Sequence, residues 1–129
     1  MISLLDPRPV RGHTVVAVTG EVDVSTASVL RDSLLALVNR GVDSLVVDLR
    51  DVRFIDSTGV GSLVRIYHRQ SLLGGCTHFV ADQSAVLRVF DMLQLTRRLH
   101  VQPTIAAVDG CCPLGEPQPV LRMTGTAAL

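Results

Sequence analysis

The segment Asp43–Gly61, DSLVVDLRDVRFIDSTGVG, sets an apolar run directly before an aspartate, two hydroxyls and two glycines. Leu45, Val46, Val47 and Leu49 form the short apolar stretch expected of a strand covered on both faces. Val52, Phe54 and Ile55 carry the chain on to FIDSTGVG. From Thr58 to Leu73, the apolar positions Val60, Leu63, Val64 and Tyr67 recur at helical spacing, and Gly74 and Gly75 stop the helix. The segment therefore predicts a strand, a tight turn and a helix. Asp56 or Ser57 is the candidate helix cap, and Gly59 and Gly61 are backbone requirements of the turn.

The same alternation extends on both sides. HTVVAVTG (13–20) is a β-branched run closed by Gly, and RPVRG before it reads as a turn back from a short first strand near Ser3 to Leu5. After EVDVS, the residues Leu30, Leu34, Leu37 and Val38 mark an amphipathic helix with Ser25 as N-cap and Gly41 as C-cap. THFVAD (77–82) predicts a further strand. SAVLRVFDML predicts a helix capped by Ser84 that buries Val86, Leu87, Phe90 and Leu93. A last strand is placed at Leu99 to Val101, and PTIAAV is a candidate short helix because Pro103 suits a first turn. The pattern is an α/β fold: one domain, residues 1–108, with a mixed β-sheet opened by an antiparallel hairpin and helices packed on it. Residues 109–129, rich in Pro and Gly, are expected to form a mobile tail.

Composition excludes several classes. The chain has 129 residues and 47% hydrophobic content, enough for one core. Twelve arginines balance ten aspartates and two glutamates, so the basic field of a nucleic-acid binder is missing and no direct nucleic-acid partner is expected. No run approaches the roughly 18–20 apolar residues of a membrane span. MISLLDPRPV lacks the continuous apolar segment of a signal peptide, so a cytoplasmic location without membrane insertion is expected. Cys76, Cys111 and Cys112 are an odd set without metal spacing and are expected to be reduced. The four histidines are scattered, so neither a metal nor a cofactor is expected.

The turn Asp56-Ser57-Thr58-Gly59 invites catalytic readings, and each fails on a named residue. An aspartic protease needs Gly one position earlier and a second copy of the motif. A hydrolase elbow needs Gly two positions before the serine, where Ile55 stands. A phosphate-binding loop needs Lys, and the chain has none. No catalytic residue is expected.

TGEVD (19–23), VVDLRDVRFIDSTGVGSLVR (46–65) and VFDMLQL (89–95) together resemble the STAS domain of bacterial anti-sigma factor antagonists, over roughly residues 13–101. The resemblance implies a regulator that binds a cognate anti-sigma factor with serine kinase activity. Phosphorylation of Ser57 would switch it off and a serine phosphatase would reset it, so controlling sigma-factor-dependent transcription. Thr58 is the lesser acceptor. The implied partner-binding residues are Glu21, Asp23, Asp56, Ser57, Thr58 and Gly59. For Asp56 helix capping is an equal alternative, and for Glu21 and Asp23 the alternative is turn structure. Arg65 and Arg69 are assigned to a solvated helix face. The other reading is a STAS-like accessory subunit of a membrane transporter, docking without phosphorylation.

Overall fold

A computed structural model describes residues 1–108. In chain order its elements are β1 (Ile2–Leu4), β2 (Arg8–Val10), β3 (His13–Val22), α1 (Ala27–Asn39), β4 (Ser44–Ile55), α2 (Ser57–Leu72), β5 (Cys76–Val80), α3 (Ser84–Met92), β6 (Val101–Gln102) and a 3₁₀ turn, Ile105–Ala107. The sheet runs β1-β3-β4-β5-β6, with β2 also on β3. β1 and β2 pair antiparallel to β3, while β3, β4, β5 and β6 are mutually parallel. Parallel neighbours require crossovers, and α1 and α2 supply them between β3, β4 and β5.

The three helices share one face of the sheet. Leu30, Leu34 and Val38 of α1, Val60, Leu63 and Ile66 of α2, and Val86 and Phe90 of α3 join one core with Val16, Val18, Val22, Leu45, Val47 and Leu49. The residues between them point the other way, as a strand's period of two requires. On that second face Val15, Val46 and Val80 meet Val108, flanked by Val10 and Ile105. The expected double coverage of the Leu45–Leu49 run is thus observed, but the second cover is the chain around the 3₁₀ turn.

Asp48 also lies on the second face and is buried. Burial pushes its carboxyl up. Arg50 outweighs that by donating from Nε at 2.9 Å, Nη2 at 2.8 Å and its backbone N–H at 3.1 Å, and the net effect holds Asp48 below the usual carboxylate range. A carboxylate at that depth requires such a partner.

Several boundaries differ from the sequence reading. RPVRG is not only a turn. Arg8–Val10 is a strand, and Arg11 and Gly12, with φ of 54° and 87°, form the two-residue connection into β3. β1 and β2 therefore act as one interrupted edge, joined by the Leu5 N–H donating to the Ala17 carbonyl at 2.9 Å. Ser25 is not the cap of α1 (see below). Ser84 is the first residue of α3, behind an N-cap Gln83 whose side chain makes no cap hydrogen bond. That side chain instead donates to the Arg50 carbonyl at 2.7 Å, tying α3 to β4. Leu93 is 41% exposed because it ends α3 rather than facing the core. Leu99 is buried but precedes the strand, which is Val101–Gln102. Cys76, expected to be reduced, is half-buried at the start of β5, with its Sγ 3.9 Å from Ser44 Oγ. The expected tail, 109–129, with Cys111 and Cys112, lies outside the described residues.

Candidate functional site

The site begins with two slips in register. Ala17 pairs with Asp48, Thr19 with Asp51 and Glu21 with Phe54, so β4 gains a residue on β3 twice before both strands end. Each extra residue moves the next side chains to the opposite face, which is why Val52 and Ile55 enter the helix-covered core at a spacing of three. The same slips leave Phe54 50% exposed at the rim. Strands β3 and β4 then deliver their loops side by side, with the Asp56 N–H donating to the Val22 carbonyl at 3.2 Å.

Asp56 is the N-cap of α2. Its backbone is extended, its Oδ1 accepts the Gly59 N–H at 2.9 Å and its carbonyl accepts the Val60 N–H at 3.0 Å. Ser57 and Thr58 follow as the first helical residues, and both are exposed. Among the described residues the Ser57 hydroxyl has no hydrogen-bond partner, so the side chain stands in solvent at the positive end of the helix dipole.

Gly59 is required by packing. A Cβ built on it would lie 2.6 Å from Val22 Cγ1, 2.9 Å from Ile55 Cγ1 and 3.0 Å from the Val22 carbonyl oxygen. Gly61 differs. A Cβ there meets nothing within 4 Å, and the residue is exposed. The expectation that Gly61 is a backbone requirement is therefore corrected.

On the neighbouring loop, Asp23 binds its own turn. Its carboxylate accepts the Ser25 hydroxyl at 2.7 Å, the Ser25 N–H at 2.9 Å and the Thr26 N–H at 3.2 Å. The Ser25 hydroxyl is the largest cause of a carboxyl held below its usual range. The Asp23 N–H in turn donates to Thr26 Oγ1 at 2.9 Å, and the Asp23 carbonyl accepts from Ala27 at 2.8 Å. This reciprocal pair fixes the turn that leads into α1, whose N-cap is Thr26 rather than the predicted Ser25 and makes no side-chain cap hydrogen bond. Thr26, which also donates to the Glu21 carbonyl at 2.8 Å, escaped the sequence reading. A Thr three residues after an Asp was the available signal.

Glu21 pairs with Arg53 at 3.5 Å and with the N-terminal ammonium at 3.6 Å, both as exposed pairs of small energetic weight. The sequence reading also passed over Val24, 75% exposed beside Asp23. Val24, one residue after Asp23, and Phe54, three residues before Ser57, are thus two uncovered apolar side chains in the segments that lead into α1 and α2. Among the described residues no helix is long and apolar enough to cross a membrane, and no cluster of three His, Cys, Asp or Glu is arranged to hold a metal.

The STAS domain family model matches residues 6–108. The chain belongs to the STAS domain family. Over 80 residues it is 36% identical to an anti-sigma-B factor antagonist of Bacillus subtilis (strain 168), covering 62% of this chain and 72% of that relative. Among solved structures it is similar to an anti-sigma factor antagonist from Mycobacterium paratuberculosis, with a TM-score of 0.74, 30% identity, and 82% of this chain and 89% of that one covered. It is also similar to the Bacillus anti-sigma factor antagonist SpoIIAA in its unphosphorylated form, with a TM-score of 0.67, 20% identity, and 82% and 90% covered. At that identity the likeness to SpoIIAA speaks for the fold alone. The STAS match runs from Asp6 to Val108, so the family's fold takes in all but the first few described residues.

Proposed function

We propose that this STAS protein is an anti-sigma factor antagonist whose docking surface surrounds Ser57, and that a partner with serine kinase activity switches it off by phosphorylating that residue. The exposed Ser57 hydroxyl at the start of α2 is the observation that carries the reading. The similarity to anti-sigma factor antagonists supports it. In this reading Ser57, Thr58 and the adjoining Glu21 side chain face the partner, whereas Gly59, expected among the partner-binding residues, is buried against Val22 and Ile55 and serves the fold. Asp56 and Asp23 act by holding the two loops in shape. A serine phosphatase restores the binding form, and Thr58 is a secondary acceptor. The protein itself is the kinase's substrate and ligand and catalyses nothing.

The energetics suit a switch. A phosphate adds about −1.5 to −2 charges. At an exposed helix N-terminus the dipole favours a negative charge by about 0.3–1 kcal/mol, so the domain remains folded. Asp56 already places a carboxylate at this turn, and in a docked complex the dianion has no water to screen it. An unpaired charge buried there costs about 3–5 kcal/mol, or roughly two to three and a half orders of magnitude in affinity.

The test is the affinity of the cognate anti-sigma factor for wild type, Ser57→Ala and Ser57→Asp. Ser57→Ala is expected to bind as tightly as wild type and to persist in ATP. Ser57→Asp is expected to bind about tenfold or more weakly, a loss of about 1.4 kcal/mol. Equal affinity of all three contradicts the switch and favours docking without phosphorylation.

A further inference from the structure

Gly61 is a residue the fold does not need. It lies inside α2, where glycine is the least favourable residue after proline. Such a glycine usually answers to a steric demand or a positive φ. Gly59, two residues earlier, has such a demand in Val22 and Ile55. Gly61 has neither: its Cβ position is open space, and its φ lies outside the left-handed region. Its position on the helix is informative. Gly61 is four residues after Ser57, so the two share one exposed face, with Cβ sites about 5–6 Å apart. Helical Cα–Cβ bonds tilt toward the N-terminus, so any side chain at 61 leans toward the Ser57 hydroxyl. The missing side chain leaves a notch beside that hydroxyl, one turn along the helix.

We infer that Gly61 is a specificity-determining residue of the docking surface, kept bare so that a segment of the anti-sigma factor can bring its backbone against the first turns of α2 and reach Ser57. Close approach of one backbone to another is what glycine permits and a methyl group obstructs. The inference rests on the function proposed above and adds to it a residue that neither caps the helix nor carries the phosphate.

The experiment sets stability against recognition in Gly61→Ala, with Gly61→Leu as the larger step. Since no fold contact is lost, the melting temperature of Gly61→Ala is expected to rise by roughly 2–6 °C. Its affinity for the anti-sigma factor, and kcat/KM for phosphorylation of Ser57, are expected to fall about tenfold or more, and further with Leu. A purely structural role cannot move the two readouts in opposite directions. A higher melting temperature with unchanged affinity and phosphorylation overturns the inference while leaving the proposed function standing. A lower melting temperature overturns it as well, since Gly61 would then serve the fold. Wild type that neither binds the anti-sigma factor nor accepts phosphate overturns the proposed function, and this inference with it.

Discussion

The carboxylate of Asp56 accepts the backbone N–H of Gly59 at 2.9 Å, spanning the two hydroxyl residues between them. The residue before Ser57 is thereby committed to holding the start of α2, and Ser57 is presented by a fixed turn. Replacing Asp56 with Ala is expected to destabilise the domain by about 1 kcal/mol through loss of the cap, and Asn, which can still accept the bond, is expected to recover most of that. Urea denaturation of the two variants checks both halves of the statement.

Gly59→Ala sets two effects of opposite sign against each other. Helix propensity favours Ala by about 1 kcal/mol. The added methyl would enter contacts of 2.6 Å with Val22 and 3.0 Å with the Val22 carbonyl, one of them a backbone atom of β3 that cannot swing away. Overpacking of this kind costs about 1–3 kcal/mol, so net destabilisation is expected. The opposite response of Gly61→Ala in the same denaturation assay distinguishes the two glycines of the motif.

The C-terminus of α3 offers a stabilising change. The Leu95 N–H donates to the Phe90 carbonyl and the Gln94 N–H to the Asp91 carbonyl, both at 2.9 Å, a Schellman-type ending. It places Gln94 at φ 58°, a conformation suited to glycine. Gln94→Gly is expected to raise stability by about 0.5–1 kcal/mol by relieving that conformation. Thermal unfolding measures it.

Asp23 and Asp48 both titrate below the ordinary carboxylate range, Asp23 through the Ser25 hydroxyl first, Asp48 through Arg50 against the opposing effect of burial. A carboxyl with a lowered pKa in the folded state stabilises fully above its unfolded value, about 3.9. That contribution disappears as the pH falls through the folded value. Stability is therefore expected to be level with respect to these groups near neutrality and to drop below about pH 4. Asp23→Asn and Asp48→Asn should each flatten that acid limb in pH-dependent denaturation.

Much of the fold was legible because the apolar periods agree with the elements. The runs His13–Gly20 and Leu45–Leu49 became parallel neighbours, and the stripe of Val60 and Leu63 became core. Where the reading failed, a tertiary partner decided the outcome. The two register slips in β4 break the period of two, and nothing local to Arg50–Phe54 announces them. The N-cap of α1 is Thr26 because a reciprocal pair with Asp23 fixes the turn before the helix, a geometry that Ser25, inside the turn, cannot provide. Gln83 lies before α3 as a tie to Arg50 on another strand, a contact 33 residues away in sequence. At the candidate site, residue types and order located Ser57. Whether Gly61 served the fold depended on the space around it, and that is a property of packing.

Exposure of the Ser57 hydroxyl beside a docking surface is the claim on which the account turns. Its most direct test is residue-level mass spectrometry of the purified chain after incubation with its anti-sigma factor and ATP. The account predicts one phosphate per chain, on Ser57, and none on a Ser57→Ala chain apart from minor modification of Thr58. Stoichiometric phosphate on another residue, with Ser57 unmodified, would contradict it.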